Sequence, residues 1–443
     1  MELRASAAAL LATLAFAAVP AASGAAGGSV QSIIDARSKQ LGGIAIVVGL
    51  VDGKRTTFFR AGTSGTKRSL DAGTLFEIGS VTKTFTGTLL ALAVLDKSVR
   101  PEEPVADLLA PGTHVPSKGA AKIELIDLAT QFSGLPRLPA NLPTDTKDPY
   151  ASYTADDLFH FLSDYVLPRP PGAAFEYSNL GAGLLGYALA HHAKTTYEAL
   201  VTRSIFKPLH MDDSFVDVPT DRAERVATPH DADGNVTNAW HFNALAGAGA
   251  IRSSAADMVK YLRANLGEGP LAAACALALK PVRDLPDERI GYFWMTSAKY
   301  RMTWHNGGTG GYRSFVGVDP AKKRGVVVLS NSGVGVDDIG FHVLNAAYPL
   351  ENYPDSSVDT KALEQYAGTY DFGQGLKLAI VREGRTLRAR LGGQPAYRIY
   401  ADGKDAFVYR VVEASLTFGR NAAGKIVKLT LHQSGRDLPA TKE

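Results

Sequence analysis

Strand-forming runs stand at both ends of a long helical stretch in this chain, and that order restricts its fold more than any local motif. Residues 44–51 and 55–60 are β-rich and are joined by Asp52-Gly53, a dipeptide suited to a tight hairpin. Before them, residues 30–40 read as a helix. Residues 82–96, 123–131, 155–165, 182–192 and 255–265 carry helical patterns. Thr154 is placed to cap the third of these, with Asp156 and Asp157 favouring its positive end. The strand pattern returns at 291–296, 301–305, 312–318 and 325–329, and a helix is predicted over 337–347. Strands from the two ends are expected to share one sheet beside a helical lobe, an α+β arrangement.

After residue 350 the texture changes. Residues 351–360 are polar, with a proline, and read as a linker. Six short strand-like runs follow, at 376–382, 386–391, 396–401, 406–412, 416–420 and 426–432. Glu383-Gly384, Gly392-Gly393, Asp402-Gly403 and Ala423-Gly424 mark turns between them. This regular spacing predicts a small all-β barrel or sandwich over 361–443, after a main domain over 28–350.

The first 25 residues carry an address. Arg4, an apolar run over 7–19, Pro20 and the small-residue site Ser23-Gly24-Ala25 form the three parts of a secretory signal peptide. The run is too short to span a bilayer, and no later stretch is long enough. The expected destination is the periplasm or the exterior, with no integral membrane segment left once the leader is removed. Cys275 is the only cysteine, so no intrachain disulfide can form and the core must hold the fold. It lies in the apolar stretch 271–279 and reads as a buried, inert thiol. The 47 basic and 44 acidic residues are too evenly balanced to indicate a nucleic acid or anionic membrane partner.

Serine needs help to act as a nucleophile, and a lysine one helical turn away can supply it. Ser-x-x-Lys occurs three times, at Ser64 with Lys67, Ser80 with Lys83, and Ser204 with Lys207. The first contains Gly65 between strand-like runs, and the third ends against Pro208. Only Ser80 opens a long apolar helix, where its own N–H also faces outward toward an incoming carbonyl oxygen. A second element, Tyr177-Ser178-Asn179, follows the turn Pro170-Pro171-Gly172 and is expected on an exposed corner. A tyrosine held near lysines can serve as a general base with a lowered pKa, and an amide can bind a substrate carbonyl. Equally, these are the residues of a core tyrosine beside a helix cap. A third element, Trp304-His305-Asn306-Gly307-Gly308-Thr309-Gly310-Gly311, ends a strand in glycines that let another backbone come close. Its plain alternative is a glycine-rich hairpin with an incidental histidine.

In this order the three elements resemble the signature of class C β-lactamases, D-Ala-D-Ala peptidases and their esterase relatives, over about residues 28–350. The segments 128–136, 205–209 and 249–258 echo the same group, and a strand-rich tail resembles the barrel appended to many members. The resemblance implies a β-lactamase/transpeptidase-like fold and an acyl-enzyme formed on Ser80. Lys83 and Tyr177 would share the proton transfers, with the choice of base open. Asn179 would contact the acyl amide, and the N–H groups of Ser80 and Gly308 would hold the oxyanion. His305, with Asn306, Gly307 and Gly308, would line the substrate, His305 standing where the family more often has a lysine cation. Thr82 stands where serine or alanine is more usual. The implied substrate is a β-lactam or a D-Ala-D-Ala peptide, or else an ester, with no cofactor and no metal. From another class, a non-catalytic receptor for cell-wall peptides is disfavoured by the complete proton-transfer set.

Other patterns carry less. Gly181-Ala182-Gly183-Leu184-Leu185-Gly186 matches a dinucleotide fingerprint but follows no hydrophobic strand, so close helix packing explains it better. His191-His192 lacks partner carboxylates at metal-binding spacing, and no Gly-x-Ser-x-Gly elbow is present.

Overall fold

The computed structural model describes residues 29–143, 147–351 and 360–443, apart from 374, 384, 385, 395, 411, 413, 434 and 435. The leader over 1–25 and nearly all of the linker over 351–360 lie outside the described residues. The chain divides into two compact units, Gly27–Asn352 and one containing Tyr353–Glu443.

The larger unit is organised by one eight-stranded sheet. Its strands are β1 (Ile46–Asp52), β2 (Arg55–Ala61), β3 (Arg283–Asp284), β4 (Glu288–Ile290), β5 (Met295–Ser297), β6 (Met302–Gly308), β7 (Arg313–Asp319) and β8 (Arg324–Ser330). They run in the order β2-β1-β8-β7-β6-β5-β4-β3. The two ends of the unit meet where β1 pairs antiparallel with β8, from Ile46 opposite Ser330 to Asp52 opposite Arg324. Between their polar ends both strands are apolar because both of their faces are covered. Val47, Val327 and Leu329 enter one core, while Ile46, Val48, Val326 and Val328 enter another on the opposite face.

Among the described residues of this unit nine helices accompany the sheet: α1 (Val30–Gln40), α2 (Thr82–Leu95), α3 (Leu125–Ala129), α4 (Ala155–Asp164), α5 (Asn179–His192), α6 (Tyr197–Val201), α7 (Ala255–Asn265), α8 (Ala272–Leu279) and α9 (Asp337–Leu344). Ile34 of α1 and Ile339 and Phe341 of α9 cover one face, and α2, α7 and α8 contribute to the core on the other. Thr154 caps α4 as expected, its Oγ1 accepting the Asp157 N–H at 3.2 Å. Cys275 is buried and free, and burial pushes its thiol up to about 12. The glycines of α5 serve packing. A Cβ on Gly186 would lie 2.8 Å from Gly247 Cα, and one on Gly183 would lie 2.8 Å from Leu245 Cα. No helix among the described residues is long and apolar enough to cross a membrane.

One predicted strand is divided. Residues 291–294 turn between β4 and β5, with Gly291 N–H donating to Trp294 O at 2.8 Å and Phe293 at φ 63°. Tyr292, Phe293 and Trp294 look strand-like because aromatic residues suit strands. Here they are apolar because the turn itself is buried in the core.

The second unit is a closed eight-stranded barrel. Its strands are β9 (Gly368–Asp371), β10 (Lys377–Glu383), β11 (Thr386–Leu391), β12 (Tyr397–Ala401), β13 (Ala406–Tyr409), β14 (Ala414–Arg420), β15 (Ile426–Gln433) and β16 (Arg436–Lys442). Closure comes from β9 pairing with β16, Tyr370 opposite Lys442. These two closing strands are the ones the sequence pattern misses. β9 has only four residues, and β16 is polar, largely exposed and contains Pro439.

A buried ion pair ties α1 to α9. Arg37 Nη1 donates to Asp338 Oδ1 at 3.1 Å and Nη2 to Oδ2 at 2.5 Å, with both side chains 4% exposed or less. Removing one partner strands a desolvated charge, so Arg37→Ala is expected to lower unfolding stability by about 3–5 kcal/mol. Urea denaturation of the two proteins checks this.

Candidate active site

Ser80 sits in a single 3₁₀ turn, Gly79–Val81, that leads into α2. Gly79 has φ +47°, and a Cβ there would lie 2.8 Å from Gly308 N and 2.9 Å from Gly308 O. That close approach brings the end of β6 against the start of α2, and only glycine allows it. The next residue back, Ile78, donates its N–H to Ile251 O at 3.0 Å and accepts from Ser314 Oγ at 2.7 Å. The whole first part of α2, Thr82 to Ala91, is buried.

Lys83 lies one turn beyond Ser80, and its Nζ is 2.8 Å from Ser80 Oγ. The same Nζ donates to Ala248 O at 2.7 Å. Its side chain has no exposed surface. Burial, reinforced by the charge of Arg137, holds its pKa well below the usual lysine range, which favours the neutral amine. A neutral amine at this distance can accept the serine proton.

Tyr177-Ser178-Asn179 leads into α5, and Ser178 caps that helix by accepting the Gly181 N–H at 2.8 Å. The expected exposed corner is half-buried, and Ser178 is fully buried. Ser178 donates its N–H to Gln131 Oε1 at 2.7 Å and its hydroxyl to Pro136 O at 2.7 Å, so a neighbouring loop closes over it. Lys83 Nζ lies 5.0 Å from the centre of the Tyr177 ring. The expectation of a lowered tyrosine pKa is corrected. Burial pushes Tyr177 up to about 12, against the opposing pull of a hydrogen bond with Ser80 and of the Arg137 charge. The two shifts favour a protonated Tyr177 beside a neutral Lys83. Asn179 Nδ2 donates to Tyr150 OH at 3.0 Å, while its Oδ1 is buried without a partner, an acceptor left open.

His305, Asn306, Gly307 and Gly308 end β6, where they pair with Val316, Phe315, Ser314 and Arg313 of β7. A Cβ on Gly307 would run into Ile78 O and Ser314 Oγ. His305 is 4% exposed, its Nδ1 lies 2.6 Å from Asn306 O, and its ring is 6.3 Å from that of Tyr177. Burial, with the nearby Lys83, pulls its pKa down to about 3. His305, expected at this position in place of the more usual lysine, is thereby held toward its neutral form. Asn306 Nδ2 donates to Asp337 Oδ2 at 2.5 Å, and burial pushes that carboxyl up to about 6.

Ser80, Lys83, Tyr177 and His305 therefore converge, and Gly308 adjoins them through Gly79. The other two Ser-x-x-Lys patterns do not make sites. Ser64 bonds within its own loop, donating to Arg68 O, and Lys207 is exposed beyond a π-helical turn. Sequence reading missed Gln131, Arg137 and Tyr150. Gln131 takes φ 64°, binds Ser178 through its side chain and receives the Glu176 N–H at 2.8 Å on its carbonyl. Nothing in one sequence marks a buried glutamine as a brace. The segment 128–136 that contains it was the one available sign.

A family model described as Beta-lactamase matches residues 30–345, and one described as a domain of unknown function (DUF3471) matches residues 353–442. The chain is 24% identical to a β-lactamase of Pseudomonas fluorescens over 68% of its own length and 92% of the relative's. It is 26% identical to the D-alanyl-D-alanine-carboxypeptidase/endopeptidase AmpH of Escherichia coli, over 65% of its own length and 78% of the relative's. The crystal structure of a class C β-lactamase from Rhodobacter sphaeroides matches with a TM-score of 0.61 at 25% identity, covering 72% of this chain and 97% of that one.

The clash built into position 307 gives a direct test of the β6 contact. Gly307→Ala is expected to push the strand end off Ile78 and slow acylation of Ser80 by about 100-fold. Stopped-flow labelling with a fluorescent penicillin reads the rate, with far-UV circular dichroism confirming the fold.

Proposed function

The chain belongs to the β-lactamase family, and from that membership we propose that it is an exported enzyme whose Ser80 opens the amide of a β-lactam ring through an acyl-enzyme. That it is an enzyme of the β-lactamase or D-Ala peptidase type follows from its relatives. The observation that carries the catalytic assignment is the buried Lys83 amine 2.8 Å from Ser80 Oγ. In this reading the leader over 1–25 directs export, residues 28–350 carry the chemistry, and 361–443 form an accessory domain joined by 351–360.

The steps follow from the proton affinities. Lys83 takes the Ser80 proton as the oxygen attacks the carbonyl carbon. The N–H groups of Ser80 and Gly308 receive the negative oxygen that forms. Tyr177, protonated at rest, gives its proton to the leaving nitrogen and recovers one from the Lys83 ammonium. The C–N bond breaks and leaves an ester on Ser80, which water then hydrolyses. Asn179 Oδ1 accepts from the amide N–H of the acyl group, and Asn306 and Gly307 line the same strand edge.

A second reading, cleavage of D-Ala-D-Ala peptides, shares every step up to deacylation and is favoured by the 26% identity to a carboxypeptidase/endopeptidase. Mass spectrometry of the mature protein with a cephalosporin, a penicillin and a D-Ala-D-Ala peptide separates the two. Rapid cephalosporin turnover with a transient Ser80 adduct supports the first reading. A long-lived penicilloyl adduct with release of D-Ala supports the second. Ser80→Ala is expected to abolish adduct and turnover alike while the protein still folds, and turnover in that variant would sink the mechanism.

The pH profile has a defined sign. Attack requires neutral Lys83, so kcat/KM rises with pH along a limb set below the usual lysine range. His305 is neutral above about 3, so it contributes no step between roughly pH 5 and 8. A step in that window that vanishes in His305→Gln would show that the histidine titrates during the reaction.

A further inference from the structure

β-Lactams and D-Ala-D-Ala peptides both carry a carboxylate close to the bond that breaks, and the third motif offers no charge to meet it. His305 is buried and neutral. Lys83 is fully buried and committed to Ser80 and Ala248. Arg313, on β7 beside Gly308, spends its Nη1 on Thr309 O and Tyr312 O, each at 2.9 Å.

Arg137 differs from all three. It is exposed, and its guanidinium has no hydrogen bond or ion pair among the described residues. That group lies 5.1 Å from the centre of the Tyr177 ring, so it stands over a side chain that adjoins Lys83. The backbone keeps it there: Arg137 O accepts the N–H of Asn179 at 3.0 Å and of Leu180 at 3.4 Å. The loop bearing Arg137 is thereby tied to the first residues of α5, next to the open Asn179 Oδ1. Its charge also acts on Lys83, Tyr150 and Tyr177, as its position beside these three groups requires. A guanidinium stacked on an aromatic face keeps its N–H edge free, and that fork matches a carboxylate in two parallel hydrogen bonds.

We propose that Arg137 is the specificity-determining residue that receives the substrate carboxylate, filling from the loop after α3 the role that a lysine at position 305 would fill from β6. The inference rests on the Ser80 acyl-enzyme reading. It assigns the substrate class as acyl compounds bearing a free carboxylate, which separates this chain from a general esterase.

The test compares a free acid with its own methyl ester, so that the acyl group is constant. The pair is a cephalosporin or an N-acyl-D-Ala-D-Ala peptide, whichever the native full-length protein turns over. In Arg137→Gln the acid-to-ester ratio of kcat/KM is expected to fall tenfold or more, chiefly through KM for the acid. Arg137→Lys, which keeps the charge but not the fork, is expected to retain at least a third of the native ratio. A ratio within threefold of native in Arg137→Gln, whether or not both rates drop together, overturns the role of Arg137 and leaves the acyl-enzyme standing. Failure of the native protein to form a Ser80 adduct with either compound overturns the acyl-enzyme reading itself.

Discussion

The contact on which the site depends is the approach of the end of β6 to the turn that precedes α2. Gly79 and Gly307 have no side chain because Gly308 and Ile78 occupy the space that one would need. Ser314 of β7 clamps the same turn through Ile78 O, and Ile251 holds its N–H. Ser80, in the turn that leads into α2, is thereby set against a strand that arrives more than 200 residues later. The glycines matter here for close approach of two backbones, and their flexibility is incidental.

Burial then sets the chemistry. One cause, desolvation, acts on three neighbouring groups with opposite results, because it disfavours whichever form is charged. It lowers Lys83, lowers His305 to about 3 and raises Tyr177 to about 12. Each shift favours the uncharged form of its group, so amine, imidazole and phenol around one hydroxyl are all biased toward neutrality. The surface cation, Arg137, is left to meet whatever charge the substrate brings.

Much of this was legible. The pairing of β1 with β8 could be anticipated because strands buried on both faces read as continuous apolar runs at both ends of the unit. Ser80, Lys83 and Tyr177 stood out because their spacing and order match a known chemistry. Residues 291–294 misled because a core aromatic turn and a strand carry the same residues. The two strands that close the barrel were hidden because β9 is short and β16 is polar. The position of Tyr177 misled as well. A Pro-Gly turn before a helix looks like a corner, yet a loop held by Gln131 and Pro136 covers it.

By itself the sequence determined the kinds of groups available: a serine with a lysine one turn on, a tyrosine with an asparagine two residues on, and a strand ending in glycines. It determined as well that no disulfide staples the fold, since Cys275 is alone. Tertiary structure alone decided which of these groups carry charge. The proton affinities of Lys83, Tyr177 and His305 depend on how much water the surrounding chain excludes, and that exclusion comes from residues far away in sequence. The same holds for Arg137, an ordinary exposed arginine until two backbone hydrogen bonds from the start of α5 place it over Tyr177.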